Sequence, residues 1–233
     1  MKNRKKAKKR NSAAAPAAAL PKRSYVKPIL IAAGAVIAVV LTVIGIWYAM
    51  QPKLPQIKLE NGKYADKTNG VSYLAADINY EPVAVGEPYA EYGKTTLYII
   101  DGLDPKQYLT EKYEGIGAIY YADTLTLPGL SGWAADSIII CESDEITIQK
   151  GEINDAGEIA KIVDAATAAE TVSGPAGSRA VYHLKFTSSI YSGLYFDLLY
   201  LDDGTHSYFY DRTTKDYHDA GDLLLKYLPR KNA

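Results

Sequence analysis

Residues Ile29–Met50 form an unbroken run of twenty-two side chains without a charge, and no other feature restricts the folding of this chain as tightly. At a helical rise of about 1.5 Å per residue the run reaches roughly 33 Å, enough for a hydrocarbon core about 30 Å thick. Backbone groups placed in lipid must hydrogen-bond internally, so a lone apolar stretch of this length is expected as a transmembrane helix. Gly34 and Gly45 are tolerated in such helices. Trp47 and Tyr48 at one end and Tyr25 before the other suit the headgroup level. Pro28 fits a first helical turn, and Pro52 and Pro55 close the far end.

Charge divides the chain at the same place. Residues 1–28 hold ten basic side chains and no acid, whereas 51–233 hold 16 basic against 27 acidic, a net of −11. Counting Lys and Arg near the run puts the N-terminus in the cytoplasm and the C-terminal region outside. A cleaved signal peptide fits less well. The apolar stretch exceeds the usual 7–15 residues or so, and Trp47-Tyr48-Ala49-Met50 offers no small-residue cleavage pattern.

The expected domain boundaries follow: a disordered basic tail (1–28), the membrane helix (29–50), a stalk (51–57) and an extracytoplasmic domain (58–233). The tail joins basic clusters to a low-complexity Ala-Pro stretch, Ser12–Leu20, with no periodicity for a core. Lys2, Arg4, Lys5, Lys6, Lys8, Lys9 and Arg10 are placed for contact with anionic lipid, each contributing about 1 kcal/mol near such a surface. No aromatic residue interleaves them, which argues against nucleic-acid binding.

Beyond the stalk, β-branched and aromatic runs recur. Strands are expected at Val71–Leu74, Thr96–Ile100, Ala118–Tyr121, Ser137–Cys141, Glu145–Gln149, Ala180–Thr187, Leu194–Leu201 and Ser207–Tyr210. Asp203-Gly204 can take the positive φ angles of a tight hairpin turn, and Asp211–Tyr217 is expected to make another. A helix is expected over Asp155–Ala169, where Ile159, Ile162, Val163 and Ala166 make one apolar stripe and Asp155 with Glu158 resembles a capping box. Short helices are expected at Asp104-Pro105 and Ala220–Leu228. The fold class expected from this pattern is α+β: one transmembrane helix, then a β-rich, mostly antiparallel domain with two or three short helices.

Residues able to do chemistry are few and scattered. Cys141 is the only cysteine; it closes the apolar run Ile138–Cys141 and reads as a buried small hydrophobe. A disulfide within the chain is excluded. A bridge-free outer domain without a glycosylation sequon fits a bacterial surface better than a eukaryotic secretory route. His183, His206 and His218 follow no metal-ligand spacing and read as surface polar residues. Acids gather at Glu142–Glu145 and between Asp202 and Asp222, without the order of a calcium loop. Nothing in the sequence nominates a carboxylate pair for glycoside hydrolysis. No catalytic, cofactor-binding or metal-binding residue is therefore assigned.

Eighteen of the 20 tyrosines follow the apolar run, and Tyr98, Tyr120, Tyr182, Tyr200, Tyr208 and Tyr210 lie in expected strands. Half-buried strand positions with one wet edge explain them more simply than an aromatic surface for an envelope protein or glycan partner. The expectation is a membrane-anchored extracytoplasmic binding or sensing domain, non-catalytic and of open specificity. An anchored envelope hydrolase with sequence-distant site residues is the alternative.

Overall fold

The computed structural model describes residues 26–50, 53–112, 118–142, 148–177 and 180–228. Contacts divide the chain into two units, Met1–Pro52 and Lys53–Ala233. Of the expected basic tail, residues 1–25 lie outside the described residues, and Val26, Lys27 and Pro28 belong to the first helix.

In the first unit α1 runs over Val26–Met50, and its described side chains, all within 36–50, are exposed. Among the described residues no helix is long and apolar enough to cross a membrane. The expected fold class, which opens with a transmembrane helix, is corrected on this point.

The second unit departs from the expected α+β class as well. Its described residues make a closed seven-stranded barrel joined to a second sheet, with one α-helix and one 3-10 turn. The barrel strands are β1 (Gln56–Glu60), β2 (Lys63–Asp66), β3 (Val71–Ala75), β5 (Val85–Tyr92), β6 (Thr95–Ile100), β7 (Tyr108–Glu111) and β8 (Ile119–Ala122), in the spatial order β1-β2-β3-β8-β7-β6-β5. β1 begins inside the stretch expected as a stalk. All barrel pairs are antiparallel except the closure, where β1 and β5 run parallel through Gln56↔Glu91 and Ile57↔Tyr92. Ile57, Tyr73, Ala90, Leu97, Leu109 and Tyr120 form a buried core inside this sheet, with the rings of Tyr64 and Tyr92 packed on it. Side chains fill the interior, as they do in other small barrels.

The second sheet takes β4 (Tyr80–Pro82), β9 (Ser137–Cys141), β10 (Gln149–Ile153), β11 (Ala180–Thr187), β12 (Leu194–Asp202), β13 (Ser207–Tyr210) and β14 (Tyr217–Asp219). Its order is β10-β9-β11-β12-β13-β14, with β4 alongside β12. One edge of β12 is therefore shared, pairing with β4 at Leu194–Phe196 and with β13 at Leu199–Asp202. One face carries Leu184, Phe186, Phe196 and Leu198, and Trp133 together with Ile159, Ile162 and Ala166 of α2 (Ala156–Ala166) joins them in one core. Trp133 donates its indole N–H to the Phe186 carbonyl at 3.0 Å and stacks on Tyr191 with centroids 4.6 Å apart. Burying each large side chain of this kind contributes about 1.5–3 kcal/mol.

Several local expectations meet a competing structure. Asp155 caps α2, its Oδ1 accepting from the Glu158 N–H at 2.9 Å, but the Glu158 carboxylate does not complete a box. It turns instead to Lys226 and to the Tyr227 hydroxyl, the latter at 2.7 Å. The segments expected as helices at Asp104-Pro105 and Ala220–Leu228 are runs of turns, closed by bonds such as Gln107 N–H to Asp104 O and Leu223 N–H to Ala220 O. Of the strand expected at Glu145–Gln149, residues 145–147 lie outside the described residues, and β10 starts at Gln149.

Candidate functional site

The shared edge of β12 is where polar chemistry collects. Asp197 sits between the β4-paired and the β13-paired parts of the strand, and its N–H donates to the Asn79 carbonyl at 2.7 Å. Opposite residues in an antiparallel ladder share a face, so Lys185 stands beside Asp197, and Glu81 beside Tyr195. His183, two residues before Lys185, points to the same side. Arg212 reaches the spot from the turn after β13.

Arg212 Nη2 donates to Asp197 Oδ2 at 2.6 Å and lies 3.4 Å from Glu81 Oε1. His183 Nδ1 meets the same Asp197 oxygen at 2.7 Å. Lys185 Nζ pairs with Glu81 Oε2 at 3.0 Å and lies 5.5 Å from the Tyr195 ring centroid. The side chains of Asp197, His183, Arg212, Glu81 and Lys185 are 0%, 8%, 9%, 10% and 11% exposed, so all five charges or potential charges are almost out of water. The two carboxylates thus face the two cationic side chains Lys185 and Arg212.

Burial raises the Glu81 carboxyl above its ordinary range, and the Asp197 charge adds to this, while Lys185 works against it. Burial alone would lower the Lys185 ammonium. The Glu81 carboxylate, with a smaller share from Asp197, works against that effect, and the ammonium ends above its usual value.

Cys141 is the direct cross-strand partner of His183. A thiol, an imidazole and a carboxylate thus fall in sequence order 141, 183, 197 across three adjacent strands, an arrangement of the residue types that acyl-transfer sites use. Its electrostatics run the other way. Cys141 is fully buried, and burial raises its thiol above the ordinary value, with Asp197 and Glu81 adding to the rise and Lys185 opposing it. An activated cysteine has its thiol lowered and is reachable.

Glu81, His183 and Asp197 also bring ligand atoms within 4.8 Å of one another, the one such group of three found among the described residues. Asp197 Oδ1 has no hydrogen-bond partner. The donor types suit a divalent transition metal, but Arg212 and Lys185 already supply the cationic partners. A divalent ion beside them would meet two like charges at close range, so the group does not fit a resident metal.

The histidines are therefore corrected in part. His206 is exposed as expected, but His183 and His218 are buried, at 6% and 8%, His218 with Nδ1 3.1 Å from the Glu170 carbonyl oxygen. Cys141 is buried as expected. Glu81, Lys185, Asp197 and Arg212 were not nominated from the sequence. Asp197 did carry a signal, since a lone carboxylate in the apolar run Leu194–Leu201 must find partners if that run is buried.

The acids between 202 and 222 mostly make turns: Asp203 Oδ1 accepts from the Thr205 and His206 N–H groups, and Asp211 Oδ1 from those of Thr213 and Thr214. Of the tyrosines singled out, Tyr120 and Tyr200 are buried and Tyr98, Tyr182, Tyr208 and Tyr210 are half-buried. No family model matches the chain, and no curated protein or solved structure matches it.

Proposed function

We propose that residues 53–233 form a non-catalytic binding or sensing domain at the outer face of a bacterial cell membrane, held there by the basic and uncharged segments that precede it. The observation that carries the non-catalytic reading is the mutual neutralisation of Glu81, Lys185, Asp197 and Arg212. Groups that could do acid–base chemistry spend their charges on one another, away from water. A filled barrel interior supports contact through surfaces. Tyr208, Tyr210 and Tyr217 offer such a surface: they line neighbouring strands, with centroids 4.6 Å apart for Tyr210 and Tyr217 and 6.3 Å for Tyr208 and Tyr217. Tyrosine gives contact area at low entropic cost. The ten Lys and Arg in 1–28 support the topology, with Lys2–Arg10 against anionic lipid.

The hydrolase reading keeps one specific support, the adjacency of Cys141, His183 and Asp197. Because Cys141 is the only thiol, alkylation separates the two readings cleanly. The intact chain is treated with iodoacetamide at neutral pH. Under the binding reading, the native thiol reacts at least about a hundredfold more slowly than the urea-unfolded one, as a buried thiol of raised pKa should. Reaction faster than that of the unfolded thiol, lost in His183→Gln, would establish an activated nucleophile and overturn the proposal.

A further inference from the structure

We propose that the cavity at the C-terminal end of α2 binds a small organic ammonium ion, a primary amine on a compact apolar body. The cavity measures about 200 Å³. Its floor is apolar, made by Tyr80, Leu130, Phe196 and Leu198, and its polar lining is built from acceptors and neutral groups with two carboxylates, Asp77 and Asp211. No Lys, Arg or His lines it. Arg212, next in sequence to Asp211, is committed to Glu81 and Asp197.

Two further observations point to a cation. Ala166 and Thr167 line the rim, so the negative end of the α2 dipole faces the cavity region, and α2 has no basic residue in its last turn to offset it. Asn79, only 2% exposed, also lines the cavity; its amide N–H donates to Asp211 Oδ1 at 2.8 Å while its Oδ1 accepts nothing. An acceptor left unpaired in this way is costly to bury, and a donor-rich guest relieves it.

Size and floor decide the class of cation. A dry cavity of about 150 Å³ accommodates benzene, so this one has room for an amine of about eight heavy atoms. A metal ion would use the oxygens and leave the apolar floor empty. A bare hydrocarbon would use the floor and leave the carboxylates unanswered.

This site is separate from the charged cluster, so the proposal stands or falls independently of the non-catalytic reading. Calorimetric titration of the full-length chain with benzylammonium is the direct test, with benzyl alcohol as the neutral isostere and calcium chloride as the metal. Benzylammonium is expected to bind with a dissociation constant of about 1 mM, and benzyl alcohol at least about tenfold more weakly. Asp77→Asn should weaken the amine about tenfold without moving the urea midpoint. Thr213→Lys, which tethers an ammonium at an exposed lining position, should abolish binding. Asp211 is left intact because it holds the turn at Thr213 and Thr214. Equal binding of alcohol and amine, calcium binding that the amine does not displace, or undiminished amine binding by both variants would overturn the proposal.

Discussion

Arg212 Nη2 and His183 Nδ1 converge on a single oxygen, Asp197 Oδ2, at 2.6 and 2.7 Å. One buried carboxylate thereby ties β11, β12 and the turn after β13 together at the place where β12 changes neighbours. Removing one member of a buried ion group costs more than the group contributes as a whole, because the remaining charges stay buried without a partner. Arg212→Met is therefore expected to destabilise the domain by about 3–5 kcal/mol. Adding Asp197→Asn should recover part of that loss. Urea unfolding of the two single variants and the double variant measures both quantities, and strictly additive losses would contradict the coupling.

Glu81 gives this group a pH dependence with a definite sign. Its folded value lies above the ordinary 4.5, so the folded chain binds that proton more tightly than the unfolded chain does. The contribution is fully present below about pH 4.5 and is lost as pH rises through the raised value. As pH rises from about 4.5 through that raised value, the native chain should lose stability relative to Glu81→Gln. Paired urea titrations across that range read the difference, and a gap that stays constant would show that Glu81 does not carry it.

The barrel and the second sheet share packing. Ile100 of β6 and Ile119 of β8 belong to the core that contains Trp133, and β4 leaves the barrel sequence to pair with β12. Leu97→Ala, inside the barrel core, is expected to cost about 3 kcal/mol. In a Trp47→Phe background the fluorescence of Trp133 should shift to lower denaturant by the same free energy as the barrel's own circular-dichroism signal. A Trp133 transition that does not move would mean that the two sheets unfold separately.

Topology has its own measurement. A reporter enzyme fused after Ala233 that works only outside the cytoplasm should be active, and the protein should sediment with membranes. Replacing the ten basic residues before Ile29 with Gln should reduce that activity, since the excess of Lys and Arg beside the run sets orientation. Activity of a cytoplasm-specific reporter at the same position would overturn the proposed topology.

Strands were most legible where burial is one-sided or complete. Ser137–Cys141, Ala180–Thr187 and Ser207–Tyr210 coincide with β9, β11 and β13, because β-branched and aromatic side chains pack there on a sheet face. β1, β2 and β5 escaped notice: their sequences, QIKLE, KYAD and VGEPYAEY, are mostly polar or small. Pro88 in β5 argues against a strand, and it sits where the β5–β6 register shifts, a place where proline is tolerated. Asn61-Gly62, both at positive φ, was a readable hairpin signal between β1 and β2. The candidate site was half legible. The period of two along a strand places His183 and Lys185 on one face, but sequence spacing could not reveal the shared edge of β12 that brings Glu81 and Arg212 over it.

The parallel closure of the barrel has a mechanical consequence. β1 is the first strand after the N-terminal unit, and only the two parallel pairs at Gln56 and Ile57 join it to β5, alongside the Gln56 amide on Glu91 Oε2 at 2.6 Å. Any tension transmitted along the chain from its N-terminal side enters the fold at that strand, before it reaches the sheet against which Trp133 packs. Under load the barrel's closure, and not the α2-covered core, is the first element to feel the pull.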